Sequence, residues 1–488
     1  MKTPSVKNLF LGTQDEQSPV IYSSAENLSY GELKDRVNKT VRALIDLDIA
    51  EGDHIAILGN NEPEFISNII ALWQLGAVPV PLNTRLSNKE LNELILRSDC
   101  KTILVSKNFE GKKFTFPVES ETYPFTSSPK EKFENEFQPP FDSTAVIIFT
   151  SGSSSAPKAV ELSFKSLFES SKIGNKLLEQ TTEDRWLASL PFYHVSGFSI
   201  IVRSLLFGTS IILPDSNSVE DIITANDMFN PTLCSVVPTQ LTRLINYEVQ
   251  NKEKIRHLLV GGGFSNEKLI LDALKLGWNV TKVYGSTETS AFVTAISGED
   301  VLFKPKSVGK ALYPNIIKIL NDKGIDVIEG ELGEIAIFTP SIMKGYYKSN
   351  EEFKEKFRND YYLTGDLGYL DDERYLYLEA RRTDLIVTGG ENVNCIEIEN
   401  VILSHPNVDE AAVIPLQDEE WGQAVAAVVV LKNNKNNLSL EEINKFLMNE
   451  LADFKLPRKL FIEKSLPKSD LGKIEKEKLI ELYKLKSP

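Results

Sequence analysis

From residue 53 onward, short apolar runs rich in β-branched residues alternate with stretches of helical periodicity, and this alternation constrains the fold more than any other feature. His54-Ile55-Ala56-Ile57-Leu58 is apolar at successive positions, as a strand covered on both faces must be. Residues 62–75 follow with the spacing of a helix. Further strand candidates lie at 102–105, 144–149, 210–213, 233–237, 255–260 and 280–283, with a helix expected at 267–276. Strands joined through helices predict an α/β body of mostly parallel, helix-covered sheets. Such sheets present ligand sites at the loops leaving their strand C-termini.

Past residue 305 the pattern changes. The runs 333–338 and 375–378 alternate apolar and polar residues, which predicts a β-rich, antiparallel subdomain. Beyond Arg381 a compact α+β tail is expected, with strands at 411–414 and 424–431 and helices at 440–450 and 473–483. A chain of 488 residues exceeds what one core organises. The division falls at about residue 382, giving an N-terminal domain of 1–382 and a small, mobile C-terminal domain of 383–488. Residues 107–142, rich in Lys, Glu, Phe and Pro, read as a surface connection.

The formal net charge of −15 argues against non-specific attachment to nucleic acid or an anionic membrane. An anionic ligand must therefore be held by local cations and backbone N–H groups. Cys100, Cys234 and Cys395 are odd in number and lack metal-type spacing, which suits a reducing compartment. The stretch 198–213 is interrupted by Arg203 and Gly208 and is too short to insert stably in a membrane. Residues 1–12 lack the apolar core of a signal peptide, so the expected location is cytoplasmic. A homodimer is left open.

Four segments have the composition of a nucleotide site. Thr150-Ser151-Gly152-Ser153-Ser154, with Lys158 after it, follows a strand and offers hydroxyl, N–H and ammonium donors to phosphate. The spacing is not that of a Walker loop. Gly261-Gly262-Gly263 ends another strand, and residues without Cβ let a flat base approach the backbone. In Tyr284-Gly285-Ser286-Thr287-Glu288 the tyrosine can stack on adenine and Thr287 can donate to a phosphate. Glu288 beside a triphosphate makes sense with Mg²⁺ between them. Asp366, in Thr364-Gly365-Asp366, can accept both hydrogen bonds of a ribose diol.

These segments, in this order, resemble the signatures of the adenylate-forming superfamily of acyl-CoA synthetases, peptide-synthetase adenylation domains and luciferases. The first loop departs from the usual pattern at Ser155 and Ala159. The resemblance implies an ATP- and Mg²⁺-dependent enzyme that adenylates a carboxylic acid and passes the acyl group to CoA. It implies that Arg381 contacts ribose or phosphate and that Arg382-Thr383 forms the hinge of a swinging C-terminal domain. Lys473, in Pro467-Lys468-Ser469-Asp470-Leu471-Gly472-Lys473-Ile474, would be the catalytic ammonium of adenylation. Gly389-Gly390-Glu391 would line the thiol path after rotation, and His194 would shield the acyl pocket.

The run His194-Val195-Ser196-Gly197-Phe198-Ser199 and the triplet Trp421-Gly422-Gln423 are similar to the o-succinylbenzoate–CoA ligases of menaquinone biosynthesis. That acid carries a second, spectator carboxylate. Arg203 lies seven residues, about two helical turns, beyond Ser196 and shares its face, so both are candidates to hold that carboxylate. Burying a bare carboxylate would otherwise be costly. Aryl or medium-chain acids stay open as substrates, as does a non-catalytic nucleotide-binding homologue.

Overall fold

The computed structural model describes residues 15–111, 119–125, 139–150, 157–251, 254–263, 265, 267–321, 323–380, 385–432, 438–467, 474 and 476–484. Among these residues five sheets form. His54–Leu58 and Thr102–Ser106 are the central strands of a four-stranded, wholly parallel sheet flanked by Val78–Pro81 and Glu119–Tyr123. A nine-stranded sheet has six neighbouring parallel strands, running from Pro19–Ser23 through Ser210–Leu213, Arg185–Leu187, Leu233–Val236 and His257–Val260 to Val280–Tyr284. Its outer strands are antiparallel. The expected α/β architecture with helix-covered parallel sheets is therefore what the chain adopts.

Two strands behave differently from the expectation. Thr144–Thr150 does not join a parallel sheet; it pairs antiparallel with Lys158–Ser163, which in turn pairs with Gly345–Tyr346. An apolar run fixes burial but not the direction of its partner, and here the partner lies just beyond the Ser-rich loop. Glu119–Tyr123, inside the stretch read as a surface connection, is a strand whose register runs from Thr102↔Glu119 to Ser106↔Tyr123. Its polar composition hides it, because it is an edge strand in which only Tyr123 is buried.

Local signals explain where the helices start and stop. Ser29 and Glu32 form a reciprocal capping box at the head of Tyr30–Asp46. Pro63 opens Pro63–Leu75 and Gly76, at φ +74°, closes it. Val195–Phe207 is apolar almost all round because it is buried between layers, and it carries Arg203 into the interior. Asn61 ties two layers together. Its Nδ2 donates to the carbonyls of Ala188 (3.0 Å) and Leu190 (2.8 Å), and its Oδ1 accepts from Phe192 N–H (2.9 Å). The turn that leads into His194 is pinned in this way.

The β-rich region is an antiparallel sheet of Ile316–Leu320, Gly333–Phe338, Tyr361–Leu370, Phe357–Arg358 and Leu376–Ala380. From residue 385 the chain builds a sheet of its own. The long hairpin Val408–Asp418/Gly422–Leu431 is its centre, flanked by Leu385–Thr388 and the parallel strand Lys459–Glu463. One cluster of buried side chains runs from Ala56 and Ile103 in the four-stranded sheet to Val425 and Phe454 beyond residue 385. No helix among the described residues is long and apolar enough to cross a membrane.

Candidate active site

The C-terminal ends of the parallel strands, the antiparallel sheets and the tip of the Leu385–Thr388/Glu391–Asn394 hairpin enclose one cavity of about 540 Å³. Of the residues singled out in the sequence, Thr150, Lys158, Gly261, Gly262, Tyr284, Gly285, Thr287, Glu288 and Asp366 all line it. So do His194, Ser196 and Arg203, and Gly389, Gly390 and Glu391 of the C-terminal hairpin. Gly263 is set back from the wall: a Cβ there would meet the Pro238 ring at 3.1 Å. Ser151, Gly152, Ser153, Ser154, Arg381, Arg382, Thr383 and Lys473 lie outside the described residues.

The nucleotide-type residues are held by specific contacts. The Tyr284 hydroxyl donates to Asp366 Oδ2 at 2.7 Å, joining the end of one strand to the middle of the strand Tyr361–Leu370 in another sheet. Gly285 is required by a close approach, because a Cβ would fall 1.3 Å from the Ala291 carbonyl oxygen. Glu288 Oε1 accepts from the Tyr346 hydroxyl at 3.2 Å. Lys158 is nearly buried, lies over the Tyr346 ring at 5.1 Å and is ion-paired with Glu352. Thr150 Oγ1 and Ser286 Oγ are buried without a hydrogen-bond partner among the described residues. No cluster of three metal-ligating side chains occurs among the described residues. A lone carboxylate such as Glu288 still fits Mg²⁺, which arrives on phosphates and takes only one or two protein carboxylates.

At the other end, Arg203 is 3% exposed. Its guanidinium lies 5.0 Å from the ring centroids of both Trp186 and Phe292. Nη2 donates to Ser199 Oγ, Nη1 has no partner, and no carboxylate pairs with it among the described residues. Burial pushes its pKa down to about 9, which leaves it a cation at neutral pH. A buried, half-satisfied cation on a cavity wall is costly unless an anion comes to it.

Glu391, 4% exposed, reaches from the C-terminal hairpin to the turn before Val195–Phe207. Its carboxylate meets His194 Nε2 at 3.2 Å and accepts from Asn83 Nδ2 at 3.0 Å and Arg85 Nη1 at 3.4 Å. Burial opposes its ionisation, but the His194 charge and hydrogen bond, Arg85 and Asn83 outweigh that and hold its pKa below the usual carboxylate value. Gly389, at φ +57°, lies against Trp421, whose ring a Cβ would meet at 2.7 Å. Trp421 is itself flanked by Arg243 at 5.1 Å and Arg458 at 4.0 Å.

Sequence reasoning missed Asn83, Arg85, Arg243, Glu352 and Lys455. Asn83 and Arg85 follow the strand Val78–Pro81, and a polar pair just after a parallel strand is a signal that could have found them. Lys455 had no such signal. It is buried, donating to Glu90 at 2.5 Å and to Glu397 at 2.9 Å, and so joins the tail to the helix Asn88–Arg97.

Residues 12–347 match the family described as AMP-binding enzyme, and residues 397–473 match the AMP-binding enzyme C-terminal domain. The chain is 35% identical over 473 residues to a 2-succinylbenzoate–CoA ligase of Oceanobacillus iheyensis, covering 95% of this chain and 96% of that one. The Bacillus subtilis enzyme of that name is 33% identical, with 95% of each chain covered. Among solved structures, the chain matches a double mutant of B. subtilis o-succinylbenzoate CoA synthetase bound to the product analogue OSB-NCoA. The TM-score is 0.90 at 32% identity, covering 95% of this chain and 96% of that one. Against the same enzyme with the acyl-adenylate intermediate OSB-AMP, the TM-score is 0.73 at 32% identity, covering 95% of each chain. With its nucleotide-type strand ends gathered on one cavity and its matches spanning nearly the whole length, the chain belongs to the AMP-binding enzyme family.

Proposed function

We propose that this chain is an ATP-dependent acid–CoA ligase acting on 2-succinylbenzoate. The observation that carries the substrate assignment is Arg203, a buried cation on the cavity wall with one nitrogen unpartnered. A benzoate-type spectator carboxylate supplies the missing partner, and Phe292, which lies against the guanidinium and lines the cavity, suits an aromatic acid. Full-length relatives of the same name support the reading.

In the first half-reaction a carboxylate oxygen attacks the α-phosphorus of ATP and pyrophosphate leaves. Lys158 and Thr287 hold phosphate oxygens, Glu288 takes the Mg²⁺ that shields them, and Tyr284, Asp366 and Arg381 hold the nucleoside. Lys473, carried on the tail, neutralises charge that grows in the transition state more than in the ground state. In the second half-reaction the CoA sulfur attacks the acyl carbon, AMP departs and the thiol proton is released. The tail is proposed to begin at about residue 382 and to turn about Arg382-Thr383 between these steps. The orientation with Glu391 against His194 is assigned to the thiol step, which agrees with the higher TM-score against the complex with a CoA-type product analogue. A cytoplasmic location is supported by cysteines that are few and buried, as suits a reducing compartment. A homodimer is tested by sedimentation.

The purified chain is to be assayed for thioester and AMP formation with ATP, Mg²⁺, CoA and o-succinylbenzoate, benzoate or octanoate. A clear preference for the diacid is expected. Equal or better use of octanoate would refute the substrate assignment, and no AMP with any acid would refute the ligase.

A further inference from the structure

Lys158 is the only ammonium that the Ser-rich segment contributes to the cavity, and its charge is already engaged. Its side chain is 7% exposed, whereas that of its partner Glu352, on the short helix Asn350–Glu355, is 36% exposed. Glu352 therefore reaches inward from the surface to a largely buried cation. The neighbouring carboxylate, Glu351, is 88% exposed and pairs with Lys354. The Tyr346 ring carries Lys158 on its face and Glu288 at its hydroxyl, so Glu352 sits beside the phosphate-handling residues without lining the cavity.

We propose that Glu352 is a positioning counterion that weakens the grip of Lys158 on polyphosphate, and so favours release of pyrophosphate over its return. The inference rests on the adenylating reading given above. A phosphate oxygen that approaches Lys158 must share its donors with Glu352 and is repelled by that carboxylate. ATP and pyrophosphate are both bound less tightly than an unpaired lysine would bind them. For ATP the loss is covered by contacts to base and ribose. Pyrophosphate has no such contacts, so the same weakening leaves it the shorter-lived of the two ligands. Removing the negative charge of Glu352 reverses this: the lysine becomes a stronger phosphate ligand, and product inhibition deepens.

The test compares Glu352→Gln with Glu351→Gln by calorimetric binding of Mg-pyrophosphate and by acid-dependent exchange of pyrophosphate into ATP. Glu352→Gln is expected to tighten pyrophosphate about three- to tenfold, a modest factor because the carboxylate is partly exposed and screened. KM for ATP should fall in the same direction while KM for the acid stays unchanged, a split that a merely structural role would not give. Glu351→Gln should behave as the parent. In a Lys158→Gln background, adding Glu352→Gln should have no effect. Parent-like pyrophosphate affinity in Glu352→Gln, or a gain that persists without Lys158, would overturn the proposal. Absence of any exchange in the parent chain would instead bring down the adenylating reading, and this inference with it.

Discussion

Replacing Arg203 with Met separates the binding role of the guanidinium from its cost to the fold. The side chain is 3% exposed and stacked between two aromatic rings at 5.0 Å, with Nη1 unpartnered. Met keeps most of the stem volume and removes the charge. For a diacid, the variant loses a charge-assisted hydrogen bond and leaves the spectator carboxylate desolvated opposite nothing. Breaking one side of a buried pair costs about 3–5 kcal/mol, equivalent to a loss of roughly two to three and a half orders of magnitude in kcat/KM. Benzoate has no spectator carboxylate and should change by no more than a few-fold. The fold should respond in the other direction. Exchanging a poorly compensated buried cation for an apolar group is commonly neutral or stabilising by about 1–4 kcal/mol, against a cation–π loss of about 1–2 kcal/mol. Tm should therefore hold or rise. Steady-state kinetics with the two acids and a melting curve measure both effects. An unchanged ratio of diacid to benzoate efficiency would refute the reasoning, whatever happens to Tm.

Glu391→Ala should slow transfer from a supplied acyl-adenylate to CoA by at least about tenfold and spare adenylation, since it removes the carboxylate that holds the hairpin against His194. Single-turnover assays of each half measure this, and equal losses in both would contradict it. The depressed pKa of Glu391 also gives a sign with pH. Its contribution to this arrangement is fully present above the ordinary carboxylate value and is lost as pH falls through the lower, folded value. Protection of residues 385–394 from hydrogen exchange should accordingly weaken in acid, but not in Glu391→Gln. Lys455→Met leaves Glu90 and Glu397 buried without their shared cation, at a cost of about 3–5 kcal/mol unless one of them protonates. Because Glu90 lies on the Asn88–Arg97 helix and Lys455 on the tail, the loss should appear as slower thiolation with adenylation unchanged or faster. A selective loss of adenylation would count against that placement.

The motifs at 150–158, 284–288 and 364–366 stood out because each couples a strand end to residue types that suit phosphate, base or ribose, and the structure puts Thr150, Lys158, Tyr284, Gly285, Ser286, Thr287, Glu288, Thr364 and Asp366 on one cavity. The parallel sheets were legible for a similar reason: a run such as Ile55-Ala56-Ile57-Leu58 has no polar face to give to water. The partner of Thr144–Thr150 was not, since apolar character says nothing about strand direction. Glu119–Tyr123 was hidden because an edge strand needs little apolar surface.

What the sequence determined by itself is local: which segments are strands or helices, where they are capped, and which side chains carry charge or hydroxyls. What only the tertiary structure decided is pairing over long separations. Glu391 against His194, Lys455 against Glu90 and Lys158 against Glu352 each join residues about two hundred or more positions apart. No periodicity encodes such contacts, because a charge chooses its partner by distance and desolvation in the folded chain and not by spacing along it.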